Sequence, residues 1–438
     1  MTTPLRKLAL ICASAVLAVS PLAGCSNDDS GASAGEKSLD IVYWNYGPAA
    51  ESGNKATADA FMAAHTDTKV TLTPVTGENW GTYYANVATL IASGKRPDLM
   101  VISGEGAQFV HANNLVLPIN KYLDSDADAK TLTGDIAKGL IDGFTVKGDV
   151  VTLTYGWNDM VVYYNTALFK KAGVEPPKAD WTWADFEATA KKLTADTNGD
   201  GKPDRYGFTW ASNEIFPGIM PWVANANGNL TSDDVCSATA DTPPVNKAVS
   251  FLENLIKEGV APAPMPMSDV FTRFQNGQIA MFGAGRWPIA TFLPKFKDFD
   301  IQLYPKGDTY KTVFGGAGYP ILKSSKNPDL AWEYQKFTVS TDIEKQYVGT
   351  PDKPGDSIPS RRSLAQTISK VGVPPANSDL YYDSIDKYPT LVPYPAPAKY
   401  SAFESTVLRH LQLIFAGEKT VDAGLKDMQG ELSSIVTC

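Results

Sequence analysis

Residues 196–204 read Asp-Thr-Asn-Gly-Asp-Gly-Lys-Pro-Asp. Oxygen side chains at the first, third and fifth positions, with Gly at the sixth, are the spacing a Ca2+ loop uses. Asp196, Asn198, Asp200 and Asp204 are therefore candidate metal ligands for a structural Ca2+. The twelfth position holds Gly207 where a full EF-hand needs a bidentate Glu, and an ion-free, Asx-rich turn accounts for the same spacing. No other cofactor is called for. Only three histidines occur, His65, His111 and His410, which leaves little material for a His-built metal centre or catalytic triad. Aromatic residues are plentiful, with nine Trp and nineteen Tyr. Trp44 and Tyr46 close the first apolar run. Trp287 follows Gly283-Ala284-Gly285 and precedes Pro288, which predicts an extended backbone at Trp287. Large rings on stiff chain ends are platforms for flat ligand surfaces; their ordinary alternative is core packing.

The elements that would hold these residues begin after a leader. Arg6 and Lys7 precede an apolar run from Leu8 to Val19, too short to span a bilayer as a helix. Leu22-Ala23-Gly24-Cys25 then resembles a bacterial lipobox, which implies removal of residues 1–24 as a signal peptide and lipidation of Cys25. Residues 26–38 are polar and Gly/Ser-rich, so 25–38 is expected to be a lipidated Cys and flexible tether. The setting is then extracytoplasmic and oxidising. Cys236 and Cys438 are left there as a disulfide pair or as two free thiols.

The 438-residue length favours two lobes over one core, and a formal net charge of −9 argues against nucleic acid as a partner. Leu39–Trp44 reads as a strand, followed by a helix with Ala56, Ala60, Phe61 and Ala64 on one face. Another strand covers 69–75, then a helix carrying Tyr84, Val87 and Ile91, then a strand at Leu99. This β-α-β-α-β order predicts an α/β fold with a parallel, helix-covered sheet. Ligands of such sheets sit beyond the carboxyl ends of the strands, here Trp44–Gly47 and Ser103–Gly106. Thr182-x-x-Asp185 is a capping box before another helix.

Several stretches then resemble, in order, the sugar-type extracellular solute-binding proteins of bacterial ABC importers, the family that includes maltose-binding protein. They are Ser93-Gly94-Lys95-Arg96-Pro97-Asp98, Tyr163-Tyr164-Asn165-x-x-Leu168-Phe169-x-x-Ala172-Gly173, Trp183-x-x-Phe186, Phe274-x-x-Gly277-x-x-Ala280-Met281 with Gly285-x-Trp287, Ser324 to Asn327 with Ala331-Trp332, and Ile358-Pro359-Ser360-Arg361. The resemblance implies a two-lobed periplasmic-binding-protein-like fold with a hinged interlobe ligand cleft. The expected N-terminal lobe is 39–155 plus 318–370; the C-terminal lobe is 156–317 plus 371–438. Crossovers are expected near Tyr155–Trp157, Phe314–Tyr319 and Val371–Pro375. Gly315-Gly316-x-Gly318 reads either as a hinge or as tight packing at a strand crossing.

The family's function would be capture of a mono- or oligosaccharide by a lipid-anchored monomer, without catalysis, for delivery to membrane permease subunits. A sugar needs aromatic faces for its C–H surfaces and planar polar groups for its hydroxyls. The resemblance places Glu105 at an acidic ligand position, Trp157 and Asn158 at a polar one, Arg286-Trp287 at the stacking Trp, and Trp222 among loop aromatics. With Trp44 and Tyr46 these form the expected site. Trp181, Trp183, Trp210 and Trp332 are assigned to packing. Two rival readings are an exported glycoside hydrolase using paired carboxylates such as Glu105 and Asp159, and a ferric-ion or oxyanion binder suggested by Tyr163-Tyr164.

Overall fold

The strand Lys37–Trp44 is buried on both faces, with Leu39, Ile41, Val42 and Tyr43 inside, as a helix-covered strand between two neighbours must be. It pairs in parallel with Thr68–Val75 on one side and Leu99–Met100 on the other. The helices Pro48–Ala64 and Trp80–Ala92 make the connections, so the expected β-α-β-α-β unit is present. Pro48 opens the first helix, where a missing N–H costs nothing. Asn79 caps the second, its Oδ1 accepting from Thr82 N at 2.8 Å. The strand starts at Lys37, two residues inside the expected tether, because Lys37 and Ser38 pair with Thr68 and Lys69.

This computed structural model describes residues 37–350, 353–364, 367, 374–382, 391–393 and 396–438. The leader, Cys25, and residues 371–373 of the third expected crossing lie outside them.

A second sheet is antiparallel, with Val161–Asn165 between Phe299–Leu303 and Met281–Ala284. Its covering helices include Trp183–Leu193, opened by the expected capping box of Thr182 and Asp185. Between the two bodies runs a five-stranded central sheet. There the two expected crossovers, Thr154–Asp159 and Thr312–Gly318, lie side by side and antiparallel, with Gly315 opposite Asn158 and Gly316 opposite Trp157. The glycines serve close packing. A Cβ on Gly316 would lie 2.7 Å from Thr154 Cγ2, and one on Gly318 would lie 2.5 Å from Leu153 O, and neither has a positive φ.

Trp181 and Trp210 are core residues, and Trp332 stacks on Tyr122 with its Nε1 on Asp126. Cys236 and Cys438 are joined, their Cα atoms 4.7 Å apart across 202 residues of sequence, which pins the chain end below the last helix, Val421–Leu432, to the loop ahead of Pro243–Lys257.

Candidate ligand cleft

The carboxyl end of the first strand delivers an aromatic wall. Trp44 and the helix-opening Trp80 lie with ring centroids 4.4 Å apart, Tyr46 meets Trp44 edge-on at 5.5 Å, and Trp80 stacks on Tyr84 at 5.8 Å. Trp44 is anchored through Nε1 to Gly77 O at 3.0 Å. Tyr46, 56% exposed, donates a hydrogen bond from its hydroxyl to Asp356 Oδ2 at 2.8 Å. Both are half-buried or exposed rim residues, as their strand-end position requires.

Glu105 sits on the same rim, at the start of the helix Gly106–Ala112. It is 3% exposed and its Oε2 has no hydrogen-bond partner. Burial raises its carboxyl above the ordinary range, against the pull of the Ser103 hydroxyl. Two further carboxyls share this region. Glu404, on the helix Tyr400–Phe415, accepts from Gly81 N at 2.9 Å and from Tyr400 OH at 2.9 Å. Burial lifts it to about 7, with Glu105 adding repulsion. Glu214 is half-buried. Burial first, then Glu404 and Glu105, push it up to about 8.

The two bodies touch here. Asn79 Nδ2 donates to Asn213 O, and Asn213 Nδ2 donates to Glu78 O, both at 3.0 Å. Asn213 belongs to the second body through Ala211, which bridges Met265, and Thr209, which bridges Phe282. Trp80, Glu214 and Glu404 were missed from the sequence. Trp80 carried a local signal, an Asn cap at the rim, but Glu214 and Glu404 become neighbours only in three dimensions.

Four expectations are corrected. Trp157 is 1% exposed, bonds through Nε1 to Pro359 O, and packs edge-on to Phe314 and Tyr382, because its strand is interior to the central sheet. Trp222 is fully buried among Trp183, Phe186, Phe208, Phe251 and Tyr304, which leaves no ring face for a ligand. Arg286 is also buried. Its guanidinium donates to the carbonyls of Tyr347, Gly355, Ser357 and Val348, so it staples that loop and has no fork left for hydroxyls. Trp287 is helical (φ −54°, ψ −28°), not extended, because the chain turns at once into the helix Pro288–Phe292. Its half-buried ring lies against Gly285, where an added Cβ would sit 2.2 Å from the ring and 2.7 Å from Asn158 Cβ. Asn158 is half-buried, with Oδ1 taken by Arg286 N at 2.6 Å.

The Asp196 loop turns its oxygens onto its own amides. Asp196 accepts from Gly199 and Gly201, Asn198 from Asp200, Asp200 from Lys202, and Asp204 from Thr197. Among the described residues no three His, Cys, Asp or Glu side chains converge as a metal site, and the loop oxygens are arranged as an Asx-rich turn. The tyrosine pair is divided between environments: Tyr163 OH donates to Gly285 O, and Tyr164 OH to Asp300. That geometry offers no shared tyrosinate site for ferric ion.

The profile of the bacterial extracellular solute-binding proteins matches residues 47–345. The chain belongs to this family. Among solved structures, this solute-binding protein is similar to the ABC substrate-binding protein Lmo0181 from Listeria monocytogenes, in complex with cycloalternan. The TM-score is 0.78 at 22% identity, covering 91% of this chain and 99% of that one. Maltose-bound MalE3 of T. maritima gives a TM-score of 0.75 at 18% identity, covering 91% and 99%. Among sequences, the sn-glycerol-3-phosphate-binding periplasmic protein UgpB of Yersinia pestis is 22% identical over 305 residues, 66% of this chain and 67% of the relative. These likenesses establish the two-lobed binding-protein fold. Family membership makes the chain a binding component of an importer, not a hydrolase. Among the described residues, no helix is long and apolar enough to cross a membrane.

Proposed function

We propose that this solute-binding protein captures a carbohydrate between its lobes and hands it to the permease of an ABC importer. The observation that carries the reading is the joint placement of a partly open aromatic wall (Trp44, Tyr46, Trp80) and the buried, unpartnered Glu105 Oε2 on one rim. Rings serve the C–H faces of a sugar, and a carboxylate accepts from its hydroxyls. The neighbours bound to cycloalternan, maltose and α-D-tagatose support the same class. A phosphate ester, the ligand in the name of UgpB, fits less well. The cleft gathers carboxyls, and the guanidinium of Arg286 is spent on backbone carbonyls. The finer reading is a monomer held by lipid at Cys25, with lobes at 39–155 plus 318–370 and 156–317 plus 371–438. A thermal-shift screen of mono- and oligosaccharides tests the ligand class, since a ligand at 100 times Kd adds about 2.7 kcal/mol. Absence of any shift across neutral and charged sugars overturns it.

A further inference from the structure

Among the described residues, Tyr46 is the large hydrophobic side chain left exposed, yet its ring is tied at the tip. Its hydroxyl donates to Asp356 Oδ2 at 2.8 Å, from 310 residues away in sequence. The other carboxylate oxygen, Oδ1, accepts from Ser357 Oγ at 3.1 Å. The backbone on both sides of Asp356 is held by a single nitrogen. Arg286 Nη1 donates to Gly355 O at 3.1 Å and to Ser357 O at 2.8 Å, while Nη2 donates to Val348 O at 2.8 Å. Arg286 is itself fixed, its N–H donating to Asn158 Oδ1 at 2.6 Å on the crossover Thr154–Asp159. Just past this clamp, Ile358 pairs with Trp157 and Pro359 with Gly156 of the same crossover. Asp356 is thus a half-buried carboxylate on a restrained backbone, with one oxygen committed to the Tyr46 phenol. An exposed tyrosine ordinarily samples several rotamers, and ordering it on binding costs affinity. Here the ordering is done in advance by a distant part of the chain.

We propose that Asp356 is a positioning residue for the sugar wall: it holds the Tyr46 ring in its stacking orientation without touching the sugar, and Arg286 holds Asp356. This rests on the carbohydrate reading above and deepens it. A hydrogen bond to an ionised acceptor is short and strong enough to set a ring. Through Arg286 and Asn158 the rim of the cleft is then tied to the crossover between the two bodies.

Two readouts test it. The first needs no sugar. In protein carrying 3-fluorotyrosine, the fluorine resonance of Tyr46 is assigned by its loss in Tyr46→Phe. It should move and sharpen in Asp356→Ala, move also in Arg286→Lys measured below melting, and stay near its parent position in Asp356→Asn, which keeps an acceptor oxygen. The second is calorimetry with maltose, cellobiose and galactose, and with any saccharide that the thermal-shift screen selects. Asp356→Ala and Tyr46→Phe should each weaken binding about two- to tenfold. The double variant should bind no more weakly than either single one, and Asp356→Asn should keep the parent affinity. Melting temperatures of these Asp356 and Tyr46 variants should stay close to the parent. A Tyr46 resonance unmoved in Asp356→Ala or in Arg286→Lys overturns the proposal and leaves the carbohydrate reading standing. So does unchanged affinity in Asp356→Ala. Losses that multiply in the double variant also overturn it, because they put Asp356 in contact with the sugar itself. If no saccharide binds the parent, the carbohydrate reading fails and takes this proposal with it.

Discussion

Glu404 Oε2 accepts the Gly81 N–H at 2.9 Å, so a carboxyl 323 residues away caps the first turn of the helix Trp80–Ala92. Ser401, on the same face of its helix, donates to Gly81 O. A Cβ on Gly81 would lie 2.6 Å from that carboxyl oxygen, so the contact depends on glycine as well as on charge.

The pH dependence of stability follows from such carboxyls. Burial raises Glu404 to about 7, and Glu214 and Glu344 to about 8, from an ordinary value of 4.5. The folded chain therefore holds protons that the unfolded chain releases, and stability falls as pH rises from about 4.5 to 8. Melting temperatures across pH 5 to 8 should decline, and Glu404→Gln, which keeps an acceptor for Gly81, should flatten the decline. A melting temperature that climbs through this window contradicts the assignment.

Asn79→Asp keeps the oxygen that caps Thr82 but replaces the donor to Asn213 O with a carboxylate facing a carbonyl. Losing one such bond costs about 1–3 kcal/mol, which is roughly 5- to 150-fold in a closed–open equilibrium. Sugar affinity should drop by that order, and small-angle scattering should show a larger radius of gyration at a fixed ligand concentration. The melting temperature of the free protein should move little.

Trp222→Ala and Trp80→Ala should separate core from cleft. Trp222 is enclosed by five aromatic rings, and its truncation should cost about 3–5 kcal/mol in a urea melt. Trp80→Ala should instead cost about 1.5–3 kcal/mol of ligand binding, a 10- to 150-fold rise in Kd. The reverse pattern would move the cleft away from the Trp44–Trp80 wall.

Arg286→Lys keeps the charge but cannot serve four carbonyls with one ammonium. Release of the 347–357 segment should appear as faster proteolysis there and a loss of about 1–3 kcal/mol of stability. Unchanged cleavage would remove the staple role.

Chelation tests the Asp196 loop. Its oxygens are occupied by backbone amides, so EDTA and added Ca2+ should give the same melting temperature. A rise with Ca2+ would restore the metal reading.

The chain's own order of apolar runs and caps determined the parallel sheet and the Thr182–Asp185 capping box, whereas the crossovers were legible only through the family resemblance and their side-by-side pairing only in the structure. The sheet and the box depend on periodicity and on contacts a few residues apart, which sequence displays directly. The rim positions of Trp44, Tyr46 and Glu105 were legible for the same reason, since a strand's end is a local property. Which tryptophans face a ligand was not. Trp222 and Trp80 both lie at helix starts, and only the packing of Phe186, Phe251 and Tyr304 from distant segments encloses the first and leaves the second partly open. Arg286 looked like a ligand fork until the 347–357 loop folded onto it. The gathering of Glu105, Glu214 and Glu404 likewise exists only in the tertiary structure, because burial and the meeting of charges across hundreds of residues are what change their chemistry.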